Sequence, residues 1–203
     1  EVPEIATIWS PKKRFQNYLK VELALIEALE KTCARPGTAK LIREKVKINE
    51  NRIDEIEKEV RHDIIAFCSS ITEQLQEDEA RYFHYGATSS DIIDTTNNLL
   101  IKESLEIILK DFKKLLQVIY NRSIELKDTP CIGRSHGMNA EPMSFGLKLL
   151  NFYAEFYRRY VEIKSFYDND LTAQMSGAVG NYTILNPTIE QEVSKILNLK
   201  VKF

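Results

Sequence analysis

From Asp91 to Lys127 the chain contains neither glycine nor proline. Leu99, Leu100, Leu105, Ile108, Leu109, Phe112, Leu115, Leu116, Ile119, Ile124 and Leu126 recur along this stretch at helical spacing. One helix of about 37 residues, rising about 1.5 Å per residue, reaches about 55 Å. Ordinary globular helices run only three or four turns, so few small folds accommodate such a rod. The expected architecture is a bundle in which this helix is a strut, shared with partner subunits. Its exposed apolar stripe predicts self-association.

The rest of the chain fits that architecture. Ser10-Pro11 is a helix start, with Ser as N-cap and Pro at the first helical position. Arg35-Pro36-Gly37 stops that helix, and charged helical stretches follow over Ala39–Lys47 and Arg52–Val60. A second long helix, rich in Phe and Tyr, is expected from Met143 to Leu171, and Asn186-Pro187 opens a last short one. Strand signals are nearly absent, with no sustained alternation and no Asn-Gly turn. The fold class expected is all-α. Pro130 to Pro142, with Gly133 and Gly137 flanking Arg134-Ser135-His136, reads as a polar loop between the long helices.

Charge and cysteine content narrow the function. A formal net charge of −2 supplies no field that would steer the chain to nucleic acid or a membrane surface. The three cysteines, Cys33, Cys68 and Cys131, lack metal-ligand spacing, and free thiols in a reducing compartment are expected. No apolar run approaches the roughly 18 residues of a membrane span. Nor does the start of the chain carry the basic-then-apolar pattern of a signal peptide. A soluble, cytoplasmic protein is the expectation.

The chain has three histidines, His62, His84 and His136, each at an interruption of the helical pattern and each near hydroxyls, Arg or Asp. Imidazole titrates near neutrality and suits general acid–base work. Zinc ligation is disfavoured, because the histidine spacings match no local metal motif and no cysteine lies near two of them. A Ser135–His136 nucleophile is disfavoured too, because neighbouring side chains point apart. Thr88-Ser89, at a helix N-terminus, reads either as a simple cap or as a seat for a carboxylate or phosphate. Arg61 and Arg134 can grip such anions in bidentate fashion. These loops suit an anionic small molecule, and no Walker or Rossmann phosphate loop is present.

These stretches resemble the fumarase/aspartase superfamily and, within it, the adenylosuccinate lyase family. His84-Tyr85-Gly86-Ala87-Thr88-Ser89-Ser90-Asp91 is similar to that family's His-x-Gly-x-Thr-Ser-x-Asp block. Gly133-Arg134-Ser135-His136-Gly137 with Ala140-Glu141-Pro142 resembles a second block, and Arg61-His62-Asp63 a third. The glycine after His136 separates it from fumarases and argininosuccinate lyases, which typically have His-Leu-Gln there. The resemblance covers essentially the whole chain. It implies a long-helix bundle shared across a homotetramer, with an N-terminal helical domain over residues 1–90 and the first part of a central bundle over 91–203. It also implies cofactor-free β-elimination of fumarate from adenylosuccinate and from the succinylated aminoimidazole carboxamide ribotide. In that chemistry His136 is the general acid. His62 assists binding and orients the site, with Arg61 and Asp63 beside it. Thr88 and Ser89 hold the succinyl carboxylates, and His84 is a further substrate-binding histidine. Members of the family usually run well beyond this length, and the loop bearing their serine base lies past residue 203. The chain is therefore expected to be an N-terminal portion without lyase activity of its own.

Overall fold

The structure is a computed structural model and describes residues 2–202. Cα packing divides the chain into two compact units: residues up to Glu103 together with those from Leu171 onward, and Ser104–Asp170.

The first unit opens with the helices α1 (Pro3–Ile8), α2 (Pro11–Leu29), α3 (Thr38–Lys45), α4 (Glu50–Val60), α5 (Asp63–Thr72) and α6 (Glu77–Ala80). Helix α2 begins as expected, with Ser10 Oγ accepting from the Lys13 N–H at 3.2 Å and Pro11 at the first position. It is the centre of the unit: Val21, Leu25 and Ile26 are fully buried in its middle. Phe15 stacks on Phe67 of α5, and Tyr18 meets the same ring edge-on. Between α4 and α5, Arg61 adopts a left-handed conformation (φ 54°) that turns the chain sharply, and His62 then caps α5.

Helix α7 (Ser89–Glu125) is a single element of 37 residues that runs through both units. Its opening turns belong to the first unit, where Ile92, Thr95 and Thr96 are buried. There Asn98 Nδ2 donates to Thr172 O, and Thr95 Oγ1 bridges the backbone of Gln174.

The second unit was expected to be two helices joined by a loop, and the junction is instead a β-hairpin. Strands β1 (Pro130–Ser135) and β2 (Met138–Ser144) pair antiparallel, with Ser135 opposite Met138. The two-residue turn is His136-Gly137, both with positive φ (52° and 74°), the signature of a type I′ turn. The register breaks between Ile132 and Arg134, a bulge at Gly133. Helix α8 (Phe145–Asn169) follows, capped by Ser144. Ring contacts Phe112–Phe156, Phe112–Tyr160 and Tyr120–Tyr153 run in opposite residue order along the two helices, so α7 and α8 pair antiparallel. Two helices bury one stripe each. Leu109 and Leu116 are covered, while Val118, Ile124, Leu147, Phe152 and Val161 stay exposed.

The chain then re-enters the first unit through β3 (Thr172–Ala173), α9 (Pro187–Leu197) and β4 (Lys200–Val201), with β3 and β4 paired in parallel. Asn186 caps α9, as its Asn-Pro start implies. The bulk of the chain is helical, as expected, and the strands are short. Among the described residues no helix is long and apolar enough to cross a membrane.

Candidate active site

In the first unit, α5 and α7 both begin near the candidate residues. His62 is the N-cap of α5, its Nδ1 accepting from the Ile65 N–H at 3.4 Å. A ring that accepts at Nδ1 carries its proton on Nε2 when neutral, and Nε2 lies 3.2 Å from Ser89 Oγ. Ser89 then accepts from His62 and keeps its own hydroxyl proton for another acceptor. Asp63 Oδ1 takes the Ile64 N–H at 2.8 Å and sits 3.5 Å from His62 Nδ1. Thus Arg61, His62, Asp63 and Ser89 fall into two segments joined by one side-chain hydrogen bond. Ser89 is the first residue of α7, where the free N–H groups and the helix dipole favour an anion.

The segment from His84 to Asp91 is pinned at both ends by buried carboxylates. At one end Glu22, fully buried in α2, receives the His84 N–H at 3.0 Å and lies 2.6 Å from His84 Nδ1. At the other, Asp91 is fully buried and accepts the N–H groups of Thr88, Ser176 and Gly177. Between them Gly86 (φ 71°) passes so close to Ile184 and Leu185 that an added Cβ would meet their side chains at 2.8 and 2.9 Å. A cavity of about 240 Å³ opens beside this segment, lined by Thr88, Ser176, Gly177, Asn181 and Thr183 among others. Its far wall, the turn after β3, is held by a third buried carboxylate: Glu190 accepts from the Met175 N–H and from the Tyr182 hydroxyl.

Burial works on His84 and Cys68 in different ways. For His84, burial alone pulls the imidazole pKa down, but the hydrogen bond and charge of Glu22, with the charge of Asp91, outweigh it and the net shift is upward from 6.5. Burial, then the charge of Glu22, pushes the Cys68 thiol far up. Glu22, Cys68 and His84 are the one group among the described residues whose donor atoms lie close enough together (within 4.8 Å) to hold a metal ion. Glu22 already uses both oxygens on His84, and Cys68 resists ionisation, so the donor set suits a hydrogen-bonded cluster better than a metal.

His136 belongs to the other unit. It sits at the tip of the hairpin, exposed, in a left-handed conformation. Arg61, His84 and His136, one from each histidine-bearing block, are three of the five non-glycine residues with positive φ among those described. Such conformations cost free energy and recur at functional sites. The reading from sequence missed Glu22 and Glu190. Glu22 had left a signal, a lone carboxylate within Val21-Glu22-Leu23-Ala24-Leu25-Ile26.

A family model described as "Lyase" matches residues 1–202. The chain belongs to this lyase family. It is 39% identical over 199 residues to the adenylosuccinate lyase of Bacillus subtilis (strain 168), covering 98% of this chain and 46% of that protein. The adenylosuccinate lyase of Aquifex aeolicus (strain VF5) is 40% identical over 203 residues, with the same coverage of 98% and 46%. The chain therefore spans about half the length of the relatives it matches. Among solved structures, a fumarate lyase from Mesorhizobium sp. BNC1 superposes with a TM-score of 0.90 at 22% identity, covering 98% of this chain and 48% of that one. The β-carboxy-cis,cis-muconate cycloisomerase of Acinetobacter calcoaceticus sp. ADP1 gives 0.90 at 23% identity, covering 98% and 49%. At that identity the likeness shows the fold alone, a mostly helical one with long helices.

Proposed function

We propose that this chain forms part of an adenylosuccinate lyase of purine nucleotide biosynthesis. The enzyme cleaves adenylosuccinate to AMP and fumarate, and releases fumarate from the succinylated aminoimidazole carboxamide ribotide. The observation that carries the reading is the 38–40% identity to adenylosuccinate lyases over 95–98% of the chain, hence through all three histidine-bearing blocks.

In this reaction a base takes the proton from the carbon beside a succinyl carboxylate. The electron pair forms the fumarate double bond, the C–N bond breaks, and the leaving amine takes up a proton. His136 supplies that proton, and the hairpin tip gives its ring an exposed position from which to do so. Ser89, with a hydroxyl proton left over by His62, and Thr88 at the head of α7 hold the succinyl carboxylates. The helix dipole there offsets the charge that develops as the carbon acid ionises. Arg61 and Asp63 border the same site, and His84 binds a further anionic group. No cofactor takes part in this scheme.

A homotetramer with shared sites accounts for the apolar residues that α7 and α8 leave exposed. Sedimentation should then show the chain as a multimer, and a strictly monomeric profile would refute that part. The cytoplasm, where nucleotides are made, is the proposed location.

The test of function is a side-by-side assay of the assembled enzyme containing this chain. Adenylosuccinate should release fumarate, and carboxymuconate should remain unchanged. Turnover of carboxymuconate alone would assign the chain to the cycloisomerase branch. Turnover of neither substrate would leave it a helical scaffold.

A further inference from the structure

Glu22 is a fully buried carboxylate in the middle of an apolar helix, and its only ion-pair partner among the described residues is His84. A charge in such a place is costly unless it is paired and hydrogen-bonded. His84 answers twice, giving its own N–H to Oε2 at 3.0 Å and bringing Nδ1 to 2.6 Å from Oε1. The Cys68 thiol adds a long contact of 3.8 Å to Oε1. The two short bonds come from one residue and grip both oxygens, so they fix the ring relative to its own backbone, which is itself left-handed (φ 60°). The other ring nitrogen, Nε2, has no hydrogen-bond partner among the described residues, and 26% of the side chain stays exposed.

We propose that Glu22 is a positioning residue: it holds the His84 ring with a proton on Nδ1 and so presents Nε2 to an anionic oxygen of the ligand. A carboxylate oxygen at 2.6 Å from Nδ1 accepts the Nδ1 proton, which leaves Nε2 as the nitrogen that gains or loses a proton. The ionisable groups facing the ring are Glu22 from α2, Cys68 from α5 and Asp91 from α7, two acids and a thiol with no cation among them. That surrounding favours the imidazolium, whose Nε2–H donates. The clamp stands on its own geometry. That the anion is a succinyl or phosphate group rests on the proposed function.

The experiment is long-range ¹⁵N NMR of the imidazoles in the 203-residue chain across the range in which histidine titrates. His84 Nδ1 should keep the shift of a protonated nitrogen throughout, while Nε2 alone changes, with a midpoint above 6.5. In Glu22→Gln, which keeps the size and removes the charge, the midpoint should fall to or below that of a free imidazole and Nδ1 should lose its fixed proton. Glu22→Asp, with the charge on a shorter arm, should restore part of the midpoint. A wild-type ring with its proton on Nε2, as would follow if a protonated Glu22 donated to Nδ1, overturns the proposal. So does an unchanged midpoint in Glu22→Gln. Should that variant not fold, the wild-type spectrum decides alone. In the assembled enzyme Glu22→Gln should raise KM more than it lowers kcat and displace the pH profile. Wild-type enzyme with the clamp intact in the spectra but no turnover of adenylosuccinate would remove the proposed function and leave this inference standing.

Discussion

Replacing Asp91 should be among the most damaging single changes in the first unit. Its carboxylate is fully buried and accepts from three backbone N–H groups: Thr88 at 3.0 Å, Ser176 at 3.2 Å and Gly177 at 3.1 Å. In Asp91→Ala the Ser176 N–H loses its acceptor in a residue that, though it borders the cavity, is only 1% exposed, less than Thr88 or Gly177. An unsatisfied buried donor costs about 1–3 kcal/mol. Thr88 and Gly177 line the cavity, so water can replace the carboxylate there, at about 1 kcal/mol for each lost charge-assisted bond. The sum is about 3–5 kcal/mol, a large part of the roughly 5–15 kcal/mol that holds a domain together. Asp91→Asn keeps one acceptor oxygen and turns an NH2 towards a donor, so about half that loss is expected. Urea denaturation followed by circular dichroism measures both, with the slope unchanged if only stability is altered. An alanine variant within about 1 kcal/mol of wild type would refute the reasoning.

Gly146→Ala should destabilise the second unit. The new Cβ would lie 2.3 Å from Ser123 O and 2.7 Å from Lys127 Cα, backbone atoms that cannot step aside. The overpacking cost of about 1–3 kcal/mol outweighs the gain of at most about 1 kcal/mol in helix propensity, and a raised melting temperature would contradict this. His84, with its folded pKa raised above 6.5, contributes stability that is fully present below 6.5 and lost as pH rises through the folded value. Denaturation midpoints should therefore decline on the alkaline side of 6.5, and a His84→Gln variant should lack that part of the slope. Ser89→Ala removes the partner of His62 Nε2 at a half-buried position, so the fold should lose only about 1 kcal/mol. Substrate KM in the assembled enzyme should nonetheless rise, and an unchanged KM would remove Ser89 from the binding role.

Long helices are legible because they repeat a local rule. The uninterrupted apolar period predicts Asp91–Lys127, and the helix runs Ser89–Glu125. Ser10 and Asn186 announce their helices for the same reason, since a cap acts on its own first turn. The hairpin at Pro130–Ser144 is not legible by those rules. Its turn uses His136-Gly137 in place of Asn-Gly, Gly133 breaks the alternation with a bulge, and prolines stand in both strands. Around the candidate site, the histidines stand out because each interrupts a pattern. Glu22 interrupts its apolar run as well, but its role comes from a hydrogen bond to a residue 62 positions away, which no local pattern announces. Asp91 reads as charge in a helix cap region, and the structure adds that it anchors Ser176 and Gly177, 85 and 86 positions on.

The central claim is that His136 delivers the proton to the leaving amine, and the direct measurement is kcat for adenylosuccinate in a His136→Asn enzyme. Asparagine suits this test better than alanine, because it tolerates the left-handed conformation (φ 52°) that the turn requires. With the hairpin kept and the acid removed, kcat should fall by about 10²–10⁴-fold while the oligomer and its melting curve stay as they were. A variant whose kcat stays within about twofold of wild type would contradict the account, since so small a change is far below what a general acid contributes.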